Sequence, residues 1–296
     1  MAITIEGFEN TFYPLADQSG IFVSDRECAY QRTICLPIYD NYDVSILFKL
    51  TITDVSYQDP TDYLSAYLLN ACDGDIYNCA GGLCIDPVFT ILYSQAVTNG
   101  NEYYIRLSWP DGWTFQINAG DCVHIQIRFN DEESQRSVFA CTGCFYKVDD
   151  QCFTTRIWYK NYDDAFGIPY SLFTTDFYHV VRLPMWLGKP QYPKTGEYYE
   201  RSNGEKVTLF ARFNRQYEVF SDDLNEWQIK NLLVAISHDF VKVFPEELPF
   251  ANGFEVVSNN DFEIDWPDMG VSSANWGRPR FNLLETPFVE LNNNCQ

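Results

Sequence analysis

The chain has 296 residues, 46% hydrophobic and 17% aromatic, with a formal net charge of −21. That length suffices for two ordinary domains or one large β domain, while the charge excludes nucleic acid and anionic membrane surfaces as partners, since both would repel it. The acidity lies mostly in the first half: residues 1–152 hold 7 Lys+Arg against 21 Asp+Glu, and residues 153–296 hold 13 against 20. It also keeps in solution a chain with 23 Phe, 20 Tyr and 7 Trp, a composition that favours strands.

The first residues, Met1-Ala-Ile-Thr-Ile-Glu-Gly7, lack the basic stretch and apolar run of a secretory signal. No apolar run approaches the ~18 residues of a membrane-spanning helix. Synthesis in a cytoplasm is therefore expected. Alternation of apolar and polar residues then predicts strands at 44–53, 63–69, 88–93, 103–109 and 122–129. In the last, Val123, Ile125, Ile127 and Phe129 face one way and His124, Gln126 and Arg128 the other. Turn clusters such as Gln58-Asp-Pro60, Asp73-Gly-Asp75, Thr98-Asn-Gly100 and Pro110-Asp-Gly112 separate them. Many short strands at this spacing predict an antiparallel β-sandwich or jelly roll.

Nine of ten cysteines (Cys28, Cys35, Cys72, Cys79, Cys84, Cys122, Cys141, Cys144 and Cys152) fall in residues 1–152, and Cys295 stands apart. Without an export signal they are expected as reduced thiols and not as a disulfide framework. Cys141-Thr-Gly-Cys144 has the spacing of two ligands on one zinc, with Cys152 or Cys122 in reserve, but the second such pair is missing. The expectation is no metal and no cofactor.

The cysteine-rich region ends near Cys152, and the strand Phe153–Tyr159 opens a less acidic half. The expected domains are thus 1–151, a Cys-rich acidic β-sandwich, and 152–296, an α+β domain. Between Pro184 and Gly204 three prolines and three glycines predict an extended arm with little regular structure, carrying Trp186, Tyr192, Tyr198 and Tyr199. Aromatics on such an arm need a surface to cover them, so these four are the candidate assembly residues. One long helix is predicted over 223–238, with Asp223 as N-cap and Glu226 completing a capping box. Short strands follow at 240–244 and 262–264.

Chemistry is sparse. Only His124, His179 and His238 are present as imidazole bases, and no nucleophile elbow, zinc-protease helix, Walker loop or dinucleotide fingerprint occurs. Among 41 acids nothing singles out a glycosidase pair. Asp73-Gly-Asp75 and Asp131-Glu-Glu133 cluster oxygens without continuing as a calcium loop. Trp109, Trp113 and Tyr103-Tyr104 have the amphipathic rings that stack on sugars, and equally those that fill a core or a subunit interface.

The stretches Cys152-Phe-Thr-Thr-Arg-Ile-Trp-Tyr-Lys-Asn161, Asp164-Ala-Phe-Gly-Ile-Pro-Tyr170, Phe177-Tyr-His-Val-Val-Arg-Leu-Pro184, Arg201-Ser-Asn-Gly204, Val234-Ala-Ile-Ser-His-Asp239, Asp261-Phe-Glu-Ile-Asp-Trp266 and Asn292-Asn-Asn-Cys-Gln296 follow one another in an order that resembles virion structural proteins of the tail and connector regions of tailed phages and prophages of Bacteroidota, including crAss-like phages. The resemblance covers residues 150–296. It implies a location in a particle, a tail, tail-hub or neck ring, and partners that are copies of the chain and other virion proteins. It carries no catalytic residues to transfer. A structural, non-enzymatic subunit is therefore the expectation, with a carbohydrate- or receptor-binding module and a cryptic glycoside hydrolase as the alternatives.

Overall fold

A computed structural model describes residues 3–8, 11, 15–16, 36–38, 44–53, 57, 59–70, 76–77, 87–109, 117–118, 120–131, 136–148, 154–213, 215–245, 253–266, 276–286 and 289–292. These residues are mainly β, with one α-helix. No helix among them is long and apolar enough to cross a membrane. The chain divides into two compact units that are discontinuous in sequence: residues 1–151 with 160–182, and residues 152–159 with 183–296. Residues 160–182 thus group with the amino-terminal part.

In the first unit, β1 (Ile3–Gly7), β2 (Leu15–Ala16), β3 (Leu36–Ile38), β4 (Ser45–Thr53), β5 (Leu64–Asn70), β6 (Val88–Val97), β7 (Gly100–Ser108), β8 (Cys122–Asp131) and β9 (Arg136–Lys147) form two sheets. One is antiparallel in the order β1-β4-β7-β6; the other runs β2-β9-β8-β5, with β3 lying parallel to β9. The alternation along β4 does what period two requires: Ile46, Phe48, Leu50 and Ile52 are fully buried on one face. Leu47, on the other face, is buried as well, because Ile168, Tyr170 and Phe177 pack over it together with Leu92 of β6. A nearly strandless segment therefore serves as a layer on this sheet. Asn99, with φ of 71°, makes the tight β6–β7 turn. Gly100 follows it because a Cβ there would sit 2.1 Å from the Ile52 carbonyl oxygen.

On β8 the predicted apolar face is fully buried at Val123, Ile125, Ile127 and Phe129. The opposite face is not the solvated one that its polar residues suggested. His124 and Gln126 are buried too, and Arg128 stacks 4.6 Å from the Tyr67 ring of neighbouring β5.

The chain runs through β10 (Thr155–Lys160) and β11 (His179–Leu183) at the two places where it changes unit. The second unit then adds β12 (Met185–Leu187), β13 (Lys194–Glu200), β14 (Lys206–Phe213), β15 (Gln216–Ser221), β16 (Leu224–Asn225), α1 (Glu226–Ile236), β17 (Phe240–Pro245), β18 (Phe254–Asp265), β19 (Trp276–Glu285) and β20 (Val289–Asn292). Its main sheet has the order β10-β17-β18-β19-β15-β12, with β16 also on β19. A separate three-stranded sheet has the order β13-β14-β20.

The helix begins later than the sequence indicated. Leu224 and Asn225 are still extended, paired with Gly277 and Trp276 of β19, so Asp223 lies outside the helix and its carboxylate accepts from Arg278 Nε at 2.8 Å. Asn225 is the N-cap: its side-chain oxygen accepts from Gln228 N–H at 2.8 Å, and Gln228 Oε1 accepts from Asn225 N–H at 3.0 Å. The reciprocal box satisfies two of the backbone donors that a helix start leaves orphaned. At the other end Ser237 Oγ donates to the Leu233 carbonyl at 2.7 Å, and His238 Nδ1 lies 2.7 Å from the Val234 carbonyl.

Candidate assembly surface

The segment 184–204, expected to be irregular, is largely paired. Met185, Trp186 and Leu187 lie opposite Ser221, Phe220 and Val219, and Gly188 and Gln191 continue the pairing through bonds to Glu218 and Gln216. Trp186 is consequently half-buried, stacked on Phe220 with ring centroids 6.2 Å apart and planes 20° apart. It is a side chain of an edge strand and not of a free arm.

Beyond Gln191 the chain leaves that sheet and forms the β13–β14 hairpin. Tyr192, where it departs, is 61% exposed, with the Arg215 guanidinium 5.9 Å from its ring. Across the hairpin Tyr198 pairs with Thr208, Tyr199 with Val207 and Glu200 with Lys206, after a register shift between Glu197 and Tyr198. Adjacent strand residues point to opposite faces, so Tyr198 and Tyr199 stand on different sides of the ribbon. They are 63% and 58% exposed. The Lys206 ammonium lies 5.2 Å from the Tyr198 ring. At the tip, Arg201 N–H donates to the Glu205 carbonyl and Gly204 N–H to the Arg201 carbonyl, both at 2.8 Å. Gly204 takes a φ of 82°, which glycine adopts without steric cost, and an Arg201–Glu205 ion pair at 3.1 Å crosses the turn. The described side chains from Lys189 to Lys206 are all exposed.

Among the described residues only the base of the hairpin has a third strand, β20, which pairs with Phe210–Phe213. A two-stranded ribbon alone is marginally stable in water. The geometry thus gathers Tyr198 and Tyr199 on a ribbon that no third described strand pairs at that height, puts Tyr192 at its root, and leaves Trp186 in the main sheet.

The remaining sequence candidates lie elsewhere. Tyr103, Tyr104 and Trp109 are buried and offer no face to a sugar ring; Trp113 is outside the described residues. All three histidines are buried. Tyr170 Oη and His179 Nε2 share a hydrogen bond at 2.8 Å, and burial raises the Tyr170 pKa, so the phenol keeps its proton. His238 is edge-on to Tyr159, and burial lowers its pKa. Asp131 is buried and accepts from Tyr57 Oη at 2.5 Å, while Asp73, Asp75, Glu132 and Glu133 lie outside the described residues. The thiols need a correction: Cys144 is disulfide-bonded, whereas Cys122 and Cys141 are buried outside any disulfide. A sulfur in a disulfide is not a thiolate ligand, and among the described residues no group of three His, Cys, Asp or Glu is placed to hold a metal ion. The other seven cysteines lie outside the described residues.

Sequence reasoning passed over the exposed apolar side chains of the segment 160–182, Tyr162, Phe166 and Leu172. Phe166 carries a readable signal. Ala165 and Ile168 exchange both backbone hydrogen bonds around Phe166-Gly167, and the two central residues have φ of 54° and 78°. That is the geometry of a type I′ turn, whose first central position favours Asn, Asp or Gly and not a bulky aromatic. Comparison with family models, with curated proteins and with solved structures finds no match to this chain.

Proposed function

We propose that this chain is a structural, non-catalytic subunit that assembles with further copies of itself through the β13–β14 hairpin. The observation that carries this reading is the ribbon that shows Tyr198 and Tyr199 on opposite faces, both more than half exposed. Exposed Tyr on both sides suits insertion into a neighbour, where rigid aromatic rings contribute most of the binding energy of an interface. The occupant is a second copy of this chain. Residues 184–213 hold five Lys+Arg against three Asp+Glu, whereas the rest of the chain holds 15 against 38, so the hairpin is the part of one copy that the acidic remainder of another attracts. A contact of this kind joins two different surfaces and propagates head to tail, closing as a ring where the rotation allows. With the resemblance of residues 150–296 to phage tail and connector proteins, this supports a ring subunit of a virion. We read the two sheets of the first unit as the leaves of a β-sandwich and the second unit as an α+β domain.

The test is the double variant Tyr198→Ser with Tyr199→Ser, read by light scattering after size exclusion, with circular dichroism as the folding control. Expected is a folded protein whose assembly is weakened at least tenfold, and a wild type whose assembly weakens as salt rises. A folded double variant that assembles like the wild type overturns the reading.

A further inference from the structure

Ten large hydrophobic side chains are exposed among the described residues, and six of them fall in two short stretches. Tyr192, Tyr198 and Tyr199 belong to the hairpin and its root; Tyr162, Phe166 and Leu172 belong to the segment 160–182, which groups with the first unit. The two stretches differ in charge. Residues 184–213 hold five Lys+Arg against three Asp+Glu, whereas residues 162–178 hold three Asp and no Lys or Arg.

Local bonding gathers the second set into one closed loop. Asp164 Oδ1 accepts from Ser171 N–H at 3.1 Å and from Ser171 Oγ at 2.7 Å. Within the loop Ala165 and Ile168 exchange backbone bonds around Phe166-Gly167. Leu172 follows Ser171 directly, and Tyr162 lies two positions before Asp164. The underside of the loop is fixed, since Ile168 and Tyr170 are buried with Leu47 and Leu92. Two of its acids are engaged within the chain, Asp164 by Ser171 and Asp176 by Lys160 at 2.9 Å. Asp163 is exposed.

Phe166 is the informative member. A bulky aromatic at φ of 54° strains the backbone, and strain of this kind clusters where a side chain has work beyond the fold. The ring is 42% exposed, so packing within its own chain uses only part of it.

We propose that this loop is the face that receives the β13–β14 hairpin of a neighbouring copy, with Phe166 and Leu172 as its apolar contacts and Asp163 attracting the basic ribbon. The inference rests on the hairpin reading above and supplies the other half of that contact. Two apolar patches of opposite charge, one in each unit, suit a head-to-tail contact in which every copy gives one patch and receives with the other. Docking Tyr198 or Tyr199 against Phe166 brings aromatic rings together and removes from water the area that each leaves exposed alone.

The experiment compares the full-length wild type, Phe166→Asn with Leu172→Ser, and Tyr198→Ser with Tyr199→Ser. Assembly is read by size exclusion with light scattering over a dilution series, and folding by circular dichroism. Expected are two folded variants that each assemble at least tenfold more weakly than the wild type. Mixed in equal amounts, they should form a heterodimer as tight as a single wild-type contact and grow no further, because the mixture has one intact hairpin and one intact loop per pair. If the folded loop variant assembles like the wild type, or if the two variants stay apart when mixed, the receiving face lies elsewhere and this inference is overturned, while the hairpin reading stands on the loss seen in the tyrosine variant. If the tyrosine variant assembles like the wild type, or the wild type is monomeric at every concentration, both are overturned. Should the loop variant fail to fold, Phe166→Asn alone takes its place, since Asn fits the left-handed turn position better than Phe.

Discussion

Residues 162–178 and 192–206 both space aromatics among Gly, Pro and acids, six in the first and three in the second, and meet opposite fates. The first buries Tyr170 and Phe177 over Leu47 and Leu92. Thr174 fastens it to β6 with two bonds to the Leu92 carbonyl, at 2.8 and 3.0 Å, and Asp164 closes it on Ser171. The second pairs only with its own return strand and shows its tyrosines to solvent. The first segment, richer in apolar side chains and without Lys or Arg, finds an apolar floor on a sheet; the second, with three Lys+Arg, has none within its own unit's described residues.

The contrast can be attacked from its strong end. Phe177, 2% exposed, should lose about 3–5 kcal/mol on Phe177→Ala, measured by urea unfolding; a loss below about 1 kcal/mol would mean that the segment is no layer of the core. Tyr170→Phe removes the bond to His179 and should cost about 1 kcal/mol, with the same readout. Phe166→Asn should raise stability by about 0.5–1 kcal/mol, since Asn tolerates the left-handed region better; a fall in melting temperature would show that the ring's contacts outweigh its backbone strain. Tyr198→Ser with Tyr199→Ser should change monomer stability by no more than about 0.5 kcal/mol, as surface substitutions do. A larger loss would show the ribbon to be part of the folding unit.

Period-two alternation made much of the first unit legible, and the strands 45–53, 64–70 and 122–131 lie within a residue or two of where the pattern put them. It failed on the polar face of β8: nothing in Cys122-Val-His-Ile-Gln reveals that His124 and Gln126 are buried. The helix was legible in type and not in start, because Asp223-x-x-Glu226 and Asn225-x-x-Gln228 are both capping boxes. Only the pairing of Asn225 with Trp276, a contact remote in sequence, selects the second. The same remoteness hid the edge strand at Trp186, since its prolines and glycines flank a three-residue run that pairs with β15. Of the candidate surface, composition identified the tyrosines, and register alone placed Tyr198 and Tyr199 on opposite faces.

The third strand of the hairpin sheet has a consequence for the timing of synthesis. β20 clamps the hairpin base at Phe210–Phe213, yet its residues 289–292 leave the ribosome roughly 75 positions after β14, a delay of about 4–15 seconds at the usual 5–20 residues per second. During that interval β13 and β14 have, among the described strands they pair with, only each other. A nascent chain therefore displays a loosely anchored ribbon until β20 arrives and fixes its base.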